Sequence, residues 1–333
     1  MSVLTCPVGC GTDLAQESAR TYGRFGVSEE LVCSRCNSRF PVVSGVPVLF
    51  ADSELVLLAL DREHRQKLLT EVEGIDRATR SAIKFSERER LVAQSRKPQA
   101  LAVSWEYFLI PTISGHDMTG FKGFFSFVER HESPLAGKVA LNVGCGLDPL
   151  GCLLQEKGAV AIAQDVVLDV LLSMDSRGVP GVCCDLRRLP FKKGSLDMVV
   201  SHNALHHIWP IEVPVREACR VLKPGGGFYC TEPNSGSLSF RVKRIIPRIA
   251  GNFLWKVARK GIRGSPFEKP IRLRELVEQL RHSGPMDTIE VFFSKRLGPS
   301  LGVEYLARPL LLAIPSLSAS FFLYGRKAQR NPT

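Results

Sequence analysis

The chain has 333 residues, of which 44% are hydrophobic and 23% are charged, proportions that suit a soluble globular protein with enough core for a sheet of six or seven strands. No window is apolar over the length of a transmembrane helix, since the nearest candidate, residues 310–323, is interrupted by Pro315. The first residues lack the basic start and apolar segment of a signal peptide, so we expect a cytoplasmic protein. The formal net charge of +11 favours an anionic partner or substrate.

The N-terminal segment contains two closely spaced cysteine pairs, Cys6 with Cys10 and Cys33 with Cys36. Four thiolates at this spacing predict a closed structural zinc site. Bound metal would stabilise a module of about 50 residues, which is too small to build much core. Disulfide bonds or free thiols are the alternatives. The remaining cysteines lie in predicted core strands and helices without a disulfide pattern, as expected in a reducing cytosol.

A charged stretch from Asp52 to Glu132 follows this module and predicts helical structure. The apolar run at residues 55–60 begins one helix, and residues 63–79 continue with helical periodicity. Aromatic side chains accumulate before the next apolar strand, and clusters of this kind belong to a core more often than to a binding site.

The segment at residues 139–148 predicts a buried strand, a glycine turn and the start of a helix. Gly144 and Gly146 can adopt positive φ angles and let a ligand approach the backbone more closely than any Cβ permits. A turn of this kind at a helix N-terminus is typical of sites for nucleotide-like cofactors. Glycine turns after strands are also common in purely structural positions, so the interpretation depends on the elements that follow.

Strands and helices alternate beyond this turn. The predicted elements are a strand at Ala159–Asp165, a strand ending near Asp185, a strand at Ser195–Ser201, a helix at Val213–Leu222, a break at Lys223–Gly227, a strand at Phe228–Asn234 and, after a helix before Pro315, a last strand at Ser320–Tyr324. The repeated order predicts an α/β fold with a doubly wound, Rossmann-like sheet. Asp165 stands about 20 residues beyond the glycines at a strand end, where a carboxylate can accept both hydroxyls of a ribose.

These motifs resemble those of the class I S-adenosylmethionine-dependent methyltransferases, in particular the group that acts on small molecules and lipids and includes enzymes of ubiquinone biosynthesis. The segments that carry the resemblance are residues 143–146, Asp165, Asp185–Leu186, Leu189–Phe191, Leu205–Ile208 and Leu222–Gly226. It implies a seven-stranded sheet and S-adenosylmethionine as cofactor, with Asp165 on the ribose and Asp185 near the adenine amino group. The candidate cofactor-binding residues are Asn142, Gly144, Gly146, Asp165, Asp185 and Asn203.

Residues 40–50 resemble the end of the small zinc-ribbon domains related to the activator subunit of certain tRNA and protein methyltransferases. In those proteins the ribbon is a scaffold, so the resemblance implies no catalytic role for the cysteines. In the methyltransferase family, helices before the first strand form part of the acceptor pocket, which makes Trp105 and Tyr107 candidate pocket residues. The predicted domains are a zinc-ribbon-like domain at 1–50, a helical linker or cap at 51–132, and a methyltransferase domain at 133–333 with a basic insertion at about 236–270.

Two positions depart from the family pattern, which usually has Asp or Glu in place of Asn142 and Gly in place of Asp148. A carboxylate at the first position would hold the turn and attract the charged amino group of the cofactor, whereas Asn142 is a neutral acceptor. Asp148 before Pro149 can cap the following helix. A catalytically silent scaffold, in which both departures record lost cofactor binding, is therefore one alternative.

A nicotinamide-dependent dehydrogenase is another alternative, because Gly-x-Gly followed by a distant acid serves both cofactors. Against it, the last glycine of the dinucleotide motif is missing, and the break at residues 223–227 is typical of the methyltransferase pattern.

Two histidines are candidate catalytic residues for O- or C-methylation of a small-molecule or lipid-like acceptor. His206 and His207 follow the strand at residues 195–201, at the edge where the methyl group of the cofactor should lie, and histidine suits proton removal near neutral pH. A structural role for either ring is equally compatible with the sequence. Glu232 and Asn234 are expected to face the same opening and to contact the acceptor.

Much of the positive charge lies in residues 241–263, where Lys and Arg alternate with apolar side chains. This pattern favours contact with an anionic membrane surface, which would make the protein membrane-peripheral. RNA methylation is the alternative, with the ribbon and this basic segment binding the phosphate backbone. A solvated insertion that covers the pocket is the third interpretation. No recognisable RNA-binding module accompanies the charge, so a lipid or membrane-proximal acceptor is favoured over RNA.

Overall fold

The computed structural model describes most of the ribbon and the sheet domain. The described residues are 3–22, 27–61, 118–146, 148–208, 210–237, 271–293 and 320–329. Several predictions fall outside them, namely those for the helix at residues 63–79, for Trp105 and Tyr107, for the basic segment at 241–263 and for the helix before Pro315. The membrane and RNA contacts expected of the basic segment therefore stay predictions.

The N-terminal residues form an antiparallel sheet of four strands in the order β1-β2-β3-β4. The strands are β1 (Leu14–Ser18), β2 (Glu29–Cys33), β3 (Arg39–Val43) and β4 (Val46–Pro47). Fully buried Glu30 in β2 accepts hydrogen bonds from the amides of Thr21 and Tyr22 and pairs with Arg39. Burial alone would raise the pKa of Glu30, but these hydrogen bonds hold it below its usual value. The carboxylate therefore fixes the residues after β1 against β2.

The second sheet has seven strands in the order β10-β11-β9-β8-β5-β6-β7. They are β5 (Val139–Val143), β6 (Val160–Asp165), β7 (Gly181–Cys183), β8 (Leu196–His202), β9 (Leu222–Pro233), β10 (Met286–Phe293) and β11 (Ser320–Lys327). Strands β5 to β9 pair in parallel, whereas β11 runs antiparallel to both β9 and β10. The predicted α/β fold with a doubly wound, seven-stranded, Rossmann-like sheet is confirmed.

Helices cover both faces of this sheet. They are α1 (Ser53–Leu60), α2 (Met118–Glu132), α3 (Leu150–Glu156), α4 (Leu168–Asp175), α5 (Glu212–Val221) and α6 (Leu273–Ser283). Helices α1 to α4 pack in one core with Ala140 of β5, and α5 and α6 pack in a second core with Leu141 and Val143. The alternation along β5 follows from the two-residue period of a strand and leaves both faces apolar. Among the described helices, none has the length and apolarity required to cross a membrane.

Most predicted elements agree with the structure, but two strands differ from expectation. The expected break at Lys223–Gly227 lies within β9, where the pairing with β8 jumps from Leu222 opposite Leu196 to Gly227 opposite Met198. The intervening residues therefore form an irregularity inside the strand instead of separating a helix from it. The last strand was expected to end at Tyr324 but runs to Lys327, because Gly325 and Arg326 continue the antiparallel pairing with β9.

The ribbon packs against the edge strand β7 of the larger sheet. Val48 forms a parallel bridge with Cys183, and the amide of Leu49 donates to the carbonyl oxygen of Cys183 at 2.7 Å. On the other side of the ribbon, the amide of Thr5 donates to the carbonyl oxygen of Pro190 at 2.9 Å. The bonds of Val48 and Leu49 cover part of an edge strand that would otherwise expose unpaired backbone groups. Leu49 lies in the same core as the side chains of the sheet.

Replacing Leu49 with Ala should lower the free energy of unfolding by about 3 kcal/mol, because the side chain is 1% exposed at the junction of ribbon and sheet. Urea unfolding of the full chain measures the effect. Val160→Thr is the control, since Val160 is 52% exposed and the change should stay within about 0.5 kcal/mol. A loss for Leu49→Ala no larger than the control would show that the ribbon does not depend on this contact.

Candidate active site

The turn after β5 is held by the end of β6. The amide of Gly144 donates to the side-chain oxygen Oε1 of Gln164 at 3.1 Å, and the amide of Cys145 donates to the Gln164 carbonyl oxygen at 3.0 Å. The amide of Gly146 donates to Asp165 Oδ2 at 3.0 Å. Three consecutive amides of the turn are therefore bound within the protein. A cofactor at this edge would contact the Cα surface of the turn, since the amides already have acceptors.

The two glycines of the turn are required for different reasons. Both have positive φ angles, 57° at Gly144 and 51° at Gly146. A Cβ on Gly144 would lie 2.4 Å from Cβ of Ala204, which is a steric clash within the protein. A Cβ on Gly146 would meet no atom within 4 Å among the described residues outside its two chain neighbours. The space beside Gly146 is therefore open, as a cofactor lying against this turn requires.

Asn142 and Asp148 form a buried pair beneath the turn. Asn142 is 0% exposed and Asp148 is 4% exposed. The Asn142 amide nitrogen Nδ2 donates to Asp148 Oδ1 at 3.3 Å, and the same oxygen accepts from the amide of Leu150 at 2.9 Å. The second bond satisfies the amide of the first residue of α3, although Pro149, and not Asp148 as predicted, stands at the N-cap position. Burial raises the pKa of Asp148 to about 7.

The two carboxylates expected to bind the nucleoside part of a cofactor lie at the same edge. Buried Asp165 accepts from Gly146 and, at 3.0 Å, from the amide of Val167, and burial raises its pKa. Partly buried Asp185 is bound by Arg187, whose guanidinium lies 2.6 Å from Asp185 Oδ2. An adenine amino group at Asp185 would share or replace this ion pair.

Asn203 follows β8 at the same edge and is exposed. Its φ angle of 54° lies in the left-handed region that Asn tolerates, and its amide donates to the Thr231 carbonyl oxygen at 2.9 Å. The backbone of this residue is therefore fixed against β9 while its side chain lies at the surface.

The two candidate catalytic histidines differ in their surroundings. His206 is 8% exposed, and its Nδ1 lies 2.6 Å from Oε2 of Glu232, whose Oε1 accepts from the amide of Leu205 at 2.8 Å. An ionised carboxylate only accepts, so in a bond to ionised Glu232 the His206 Nδ1 would carry the proton and the lone pair of the neutral ring would be at Nε2. Burial, followed by the charge of His206, lowers the pKa of His207 to about 2, so His207 is a very weak base.

The expectation that Glu232 and Asn234 face the opening as acceptor-binding residues is wrong for Glu232. Glu232 is 0% exposed and both its oxygens bind residues of the 205–207 turn. Asn234 is 6% exposed, and its side-chain oxygen accepts from the amide of Gly236 at 3.0 Å. Glu232, near the end of β9, therefore supports the turn at residues 205–207.

The four N-terminal cysteines come together in the ribbon. Their Sγ atoms all lie within 4.8 Å of one another, and those of Cys6 and Cys36 are 3.7 Å apart. Thiolates around tetrahedral zinc are separated by about 3.8 Å, given a Zn–S distance of about 2.3 Å. Burial raises the pKa of Cys6 to about 12. At Cys33 burial is outweighed by hydrogen bonds, led by that of the Thr12 hydroxyl, which lower the pKa to about 6.

Sequence reasoning missed three partners of the candidate residues. Gln164 holds the glycine turn and also donates from Nε2 to the Cys184 carbonyl oxygen at 2.6 Å. The sequence feature that could have identified Gln164 is a polar residue at the end of an apolar strand. Arg187 and Glu232 pair with candidate residues, and no sequence spacing distinguished these partners from other charges.

Comparison with known proteins bears on the same segment. Residues 141–230 match the family model described as a methyltransferase domain. This segment of the chain is therefore similar to that domain family. The chain is 37% identical over 73 residues to a demethylmenaquinone methyltransferase of Corynebacterium urealyticum, covering 22% of this chain and 32% of that protein. It is 29% identical over 182 residues to a ubiquinone biosynthesis O-methyltransferase of Marinobacter nauticus, covering 51% of this chain and 71% of that protein.

Solved structures also align with the domain. One is a phosphoethanolamine N-methyltransferase of Haemonchus contortus bound to phosphomonomethylethanolamine and S-adenosylhomocysteine, with 18% identity and a TM-score of 0.45 over 63% of this chain and 53% of that one. The chain spans less than half the length of several curated relatives that it matches.

Alanine at the two glycines should separate their roles. Gly144→Ala should lower the free energy of unfolding by about 2 to 4 kcal/mol, because it adds a clash with Ala204 to the strain of a positive φ angle. Gly146→Ala has the same strain without the clash and should lose about 1 kcal/mol. Urea unfolding compares the two. Equal losses would show that the contact with Ala204 does not constrain the turn.

Proposed function

We propose that this chain catalyses S-adenosylmethionine-dependent methyl transfer to oxygen or carbon of a small-molecule or lipid-like acceptor. The observation that carries the proposal is the methyltransferase-domain match at residues 141–230, which contains every candidate cofactor-binding and catalytic residue. The acceptor class is supported by the relatives named above, two of which are methyltransferases of quinone biosynthesis.

The residues at the edge of the sheet fit the parts of this cofactor. Asp165 supplies oxygens at a strand end beside the open space at Gly146, where ribose hydroxyls can donate to it. Asp185 lies two residues beyond the neighbouring strand β7, a position that would let it accept from an adenine amino group. When bound, S-adenosylmethionine supplies a methyl group on a sulfonium that is already a good leaving group. The protein then needs chiefly to orient the acceptor and exclude water.

His206 is the better candidate for a general base. Glu232 lies 2.6 Å from its Nδ1 and, when ionised, would hold a proton there and leave Nε2 as the basic nitrogen of the neutral ring, as in other carboxylate-histidine pairs. An acceptor hydroxyl or acidic carbon would lose its proton to Nε2, and Glu232 would stabilise the imidazolium that forms. His207 lacks the basicity for this role, because its pKa is lowered to about 2.

Transfer of a labelled methyl group tests the proposed reaction. The full chain is incubated with methyl-labelled S-adenosylmethionine and, separately, with catechols, demethylated quinols, lipid extracts and RNA. We expect label in an organic-extractable product. Label in RNA alone would replace the proposal with the RNA methyltransferase alternative, and absence of transfer to every class would contradict it.

Asp165→Ala should weaken binding of S-adenosylhomocysteine by at least about tenfold, because charged hydrogen bonds of this kind contribute about 1.5 to 3 kcal/mol each. Calorimetric titration measures the change. Asp169→Ala in α4 is the matched control, since Asp169 is exposed, and its affinity should change by less than about twofold. Unchanged affinity in Asp165→Ala would reject the ribose assignment.

His206→Asn should lower turnover with the acceptor found in the labelling screen by about 100-fold or more, with little change in S-adenosylhomocysteine affinity, because it removes a general base. His207→Asn should have a much smaller effect, since this ring is a weak base. Steady-state kinetics measure both. Similar losses in the two variants would contradict the assignment of His206.

We also propose that Cys6, Cys10, Cys33 and Cys36 bind one structural zinc ion. The clustering of the four Sγ atoms supports this proposal. Four protein thiolates leave no open coordination position, so the metal would stabilise the ribbon without taking part in the reaction.

Purified chain should contain about one zinc ion, as a closed four-thiolate site binds one. The double variant Cys33→Ser/Cys36→Ser should contain close to none and should unfold at a lower temperature. Cys152→Ser is the control, because Cys152 lies outside the cluster. Elemental analysis and thermal unfolding measure the outcome. A wild-type ribbon that is folded and metal-free would overturn the assignment.

A further inference from the structure

The segment that carries Asp185 is bound by the ribbon on both sides of that residue. Before it, the amide of Leu49 donates to the Cys183 carbonyl oxygen at 2.7 Å. After it, residues 3–5 run antiparallel to residues 190–192, with main-chain hydrogen bonds of 2.9 and 2.8 Å. The main chain on either side of the proposed adenine-binding carboxylate is therefore paired with the ribbon.

Arg188 joins the intervening turn itself to the ribbon. The turn is formed by Leu186–Arg188, and the amide of Arg188 donates to the Asp185 carbonyl oxygen at 2.9 Å. The guanidinium of Arg188 donates to the Val8 carbonyl oxygen at 2.6 Å. One residue thus binds Asp185 through its main chain and the ribbon through its side chain.

The carboxylate of Asp185 is bound from within the same turn. It accepts from the amide of Arg187 at 2.8 Å and from its guanidinium at 2.6 Å. Bonds from the sheet domain reach the chain at Cys184 and Leu189, which lie before and after the turn. The place of the carboxylate therefore follows the place of the turn, and the bond from Arg188 to the ribbon is one of the interactions that fix it.

Two glycines beside Cys10 show how closely the ribbon meets Arg188. Gly9 has a φ angle of 98°, and a Cβ on it would lie 2.9 Å from Nη2 of Arg188, so the guanidinium would have to move. Gly11 has a φ angle of 69°, but a Cβ there would meet no atom within 4 Å among the described residues outside its chain neighbours. The two positions thus separate contact with Arg188 from backbone strain.

We propose that Arg188 is a positioning residue through which the ribbon sets the place of Asp185 and, with it, the preference of the site for adenine. This inference rests on the proposed function, in which Asp185 accepts from the adenine amino group. A hydrogen bond weakens steeply as its distance and angle depart from the optimum. Selectivity for the amino group therefore depends on how firmly the surrounding residues hold the carboxylate. The ribbon then contributes to recognition of the base as well as to the stability of the chain.

Calorimetric titration of the full chain with two ligands measures this selectivity. The ligands are S-adenosylhomocysteine and its purine analogue, in which a hydrogen atom replaces the adenine amino group. We define the base discrimination as the ratio of their dissociation constants. The wild-type chain should bind S-adenosylhomocysteine at least about tenfold more tightly, because the analogue leaves a charged acceptor without its donor.

Arg188→Met retains the aliphatic stem but removes the donors to Val8, so it should lower the base discrimination by about threefold or more. Arg188→Lys keeps a donor and should restore part of it. Arg216→Met is the matched control, because it removes an exposed arginine from α5. Its base discrimination should change by less than about 1.5-fold.

Gly9→Ala tests the same link without any change in the sheet domain. The added Cβ displaces the guanidinium of Arg188, so the base discrimination should fall by about threefold. Gly11→Ala has the strain without the contact and should leave the ratio unchanged. Added to Arg188→Met, Gly9→Ala should lower the ratio no further, because two changes that remove one interaction are not additive.

Thermal unfolding and elemental analysis establish that the compared variants are folded and have equal metal content. Arg188→Met leaves the ribbon sequence intact and decides the proposal by itself if Gly9→Ala does not fold. An unchanged ratio in Arg188→Met, an equal fall in Arg216→Met, or additive effects of Gly9→Ala and Arg188→Met would overturn the proposal.

The wild-type chain separates this inference from the reaction on which it rests. Equal affinity for the two ligands would overturn the placement of adenine at Asp185, and the role of Arg188 with it, but would leave the proposed methyl transfer in place. A folded wild-type chain that binds neither ligand would overturn the proposed function itself.

Discussion

The turn after β5 directs its backbone amides toward the end of β6, and β6 supplies the oxygens that bind them. This arrangement depends on the parallel register that places Val143 opposite Gln164. Gln164 binds the first amides of the turn and Asp165 binds the amide of Gly146, so one strand end determines the shape of the next. Asp165 is buried at this strand end, and a buried carboxylate needs hydrogen-bond donors close by, which the amides of Gly146 and Val167 provide. Hydrogen bonding of the turn is therefore the constraint on which the geometry of the candidate cofactor site depends.

The ribbon is joined to the same site through the segment after β7. The amide of Leu49 donates to the Cys183 carbonyl oxygen, two residues before Asp185. Farther along the same segment, the amide of Thr5 donates to the Pro190 carbonyl oxygen, and the amide of Lys192 donates to the Val3 carbonyl oxygen. Arg188 donates to the Val8 carbonyl oxygen at 2.6 Å, within the first cysteine pair. The segment that carries the first cysteine pair and the segment that carries Asp185 are thus connected by main-chain bonds and by the side chain of Arg188. The conformation of the ribbon therefore bears directly on the segment that carries Asp185.

The sequence allowed the fold to be predicted because its signals are local and repeated. The positions of β5, β6 and β8 could be predicted from apolar runs that end in polar residues. The alternating order of strands and helices then predicted a parallel sheet. The extent of β9 and β11 was misjudged because glycines and charged residues normally end strands, whereas here the pairing with neighbouring strands continues through them. The candidate residues converge because parallel strands end at one edge. Their individual partners, such as Glu232 with His206, depend on side-chain packing across the sheet, which spacing in the sequence does not encode.

The central claim is that this edge of the sheet binds an adenosyl cofactor. Calorimetric titration of the metal-replete full chain with S-adenosylmethionine and S-adenosylhomocysteine, with NADH as the comparison ligand, tests it most directly. The account predicts saturable binding of the first two in the micromolar range and none of NADH. Binding of NADH, or of none of the three by a folded chain, would contradict it. The first of these results would support a dehydrogenase, and the second a silent scaffold.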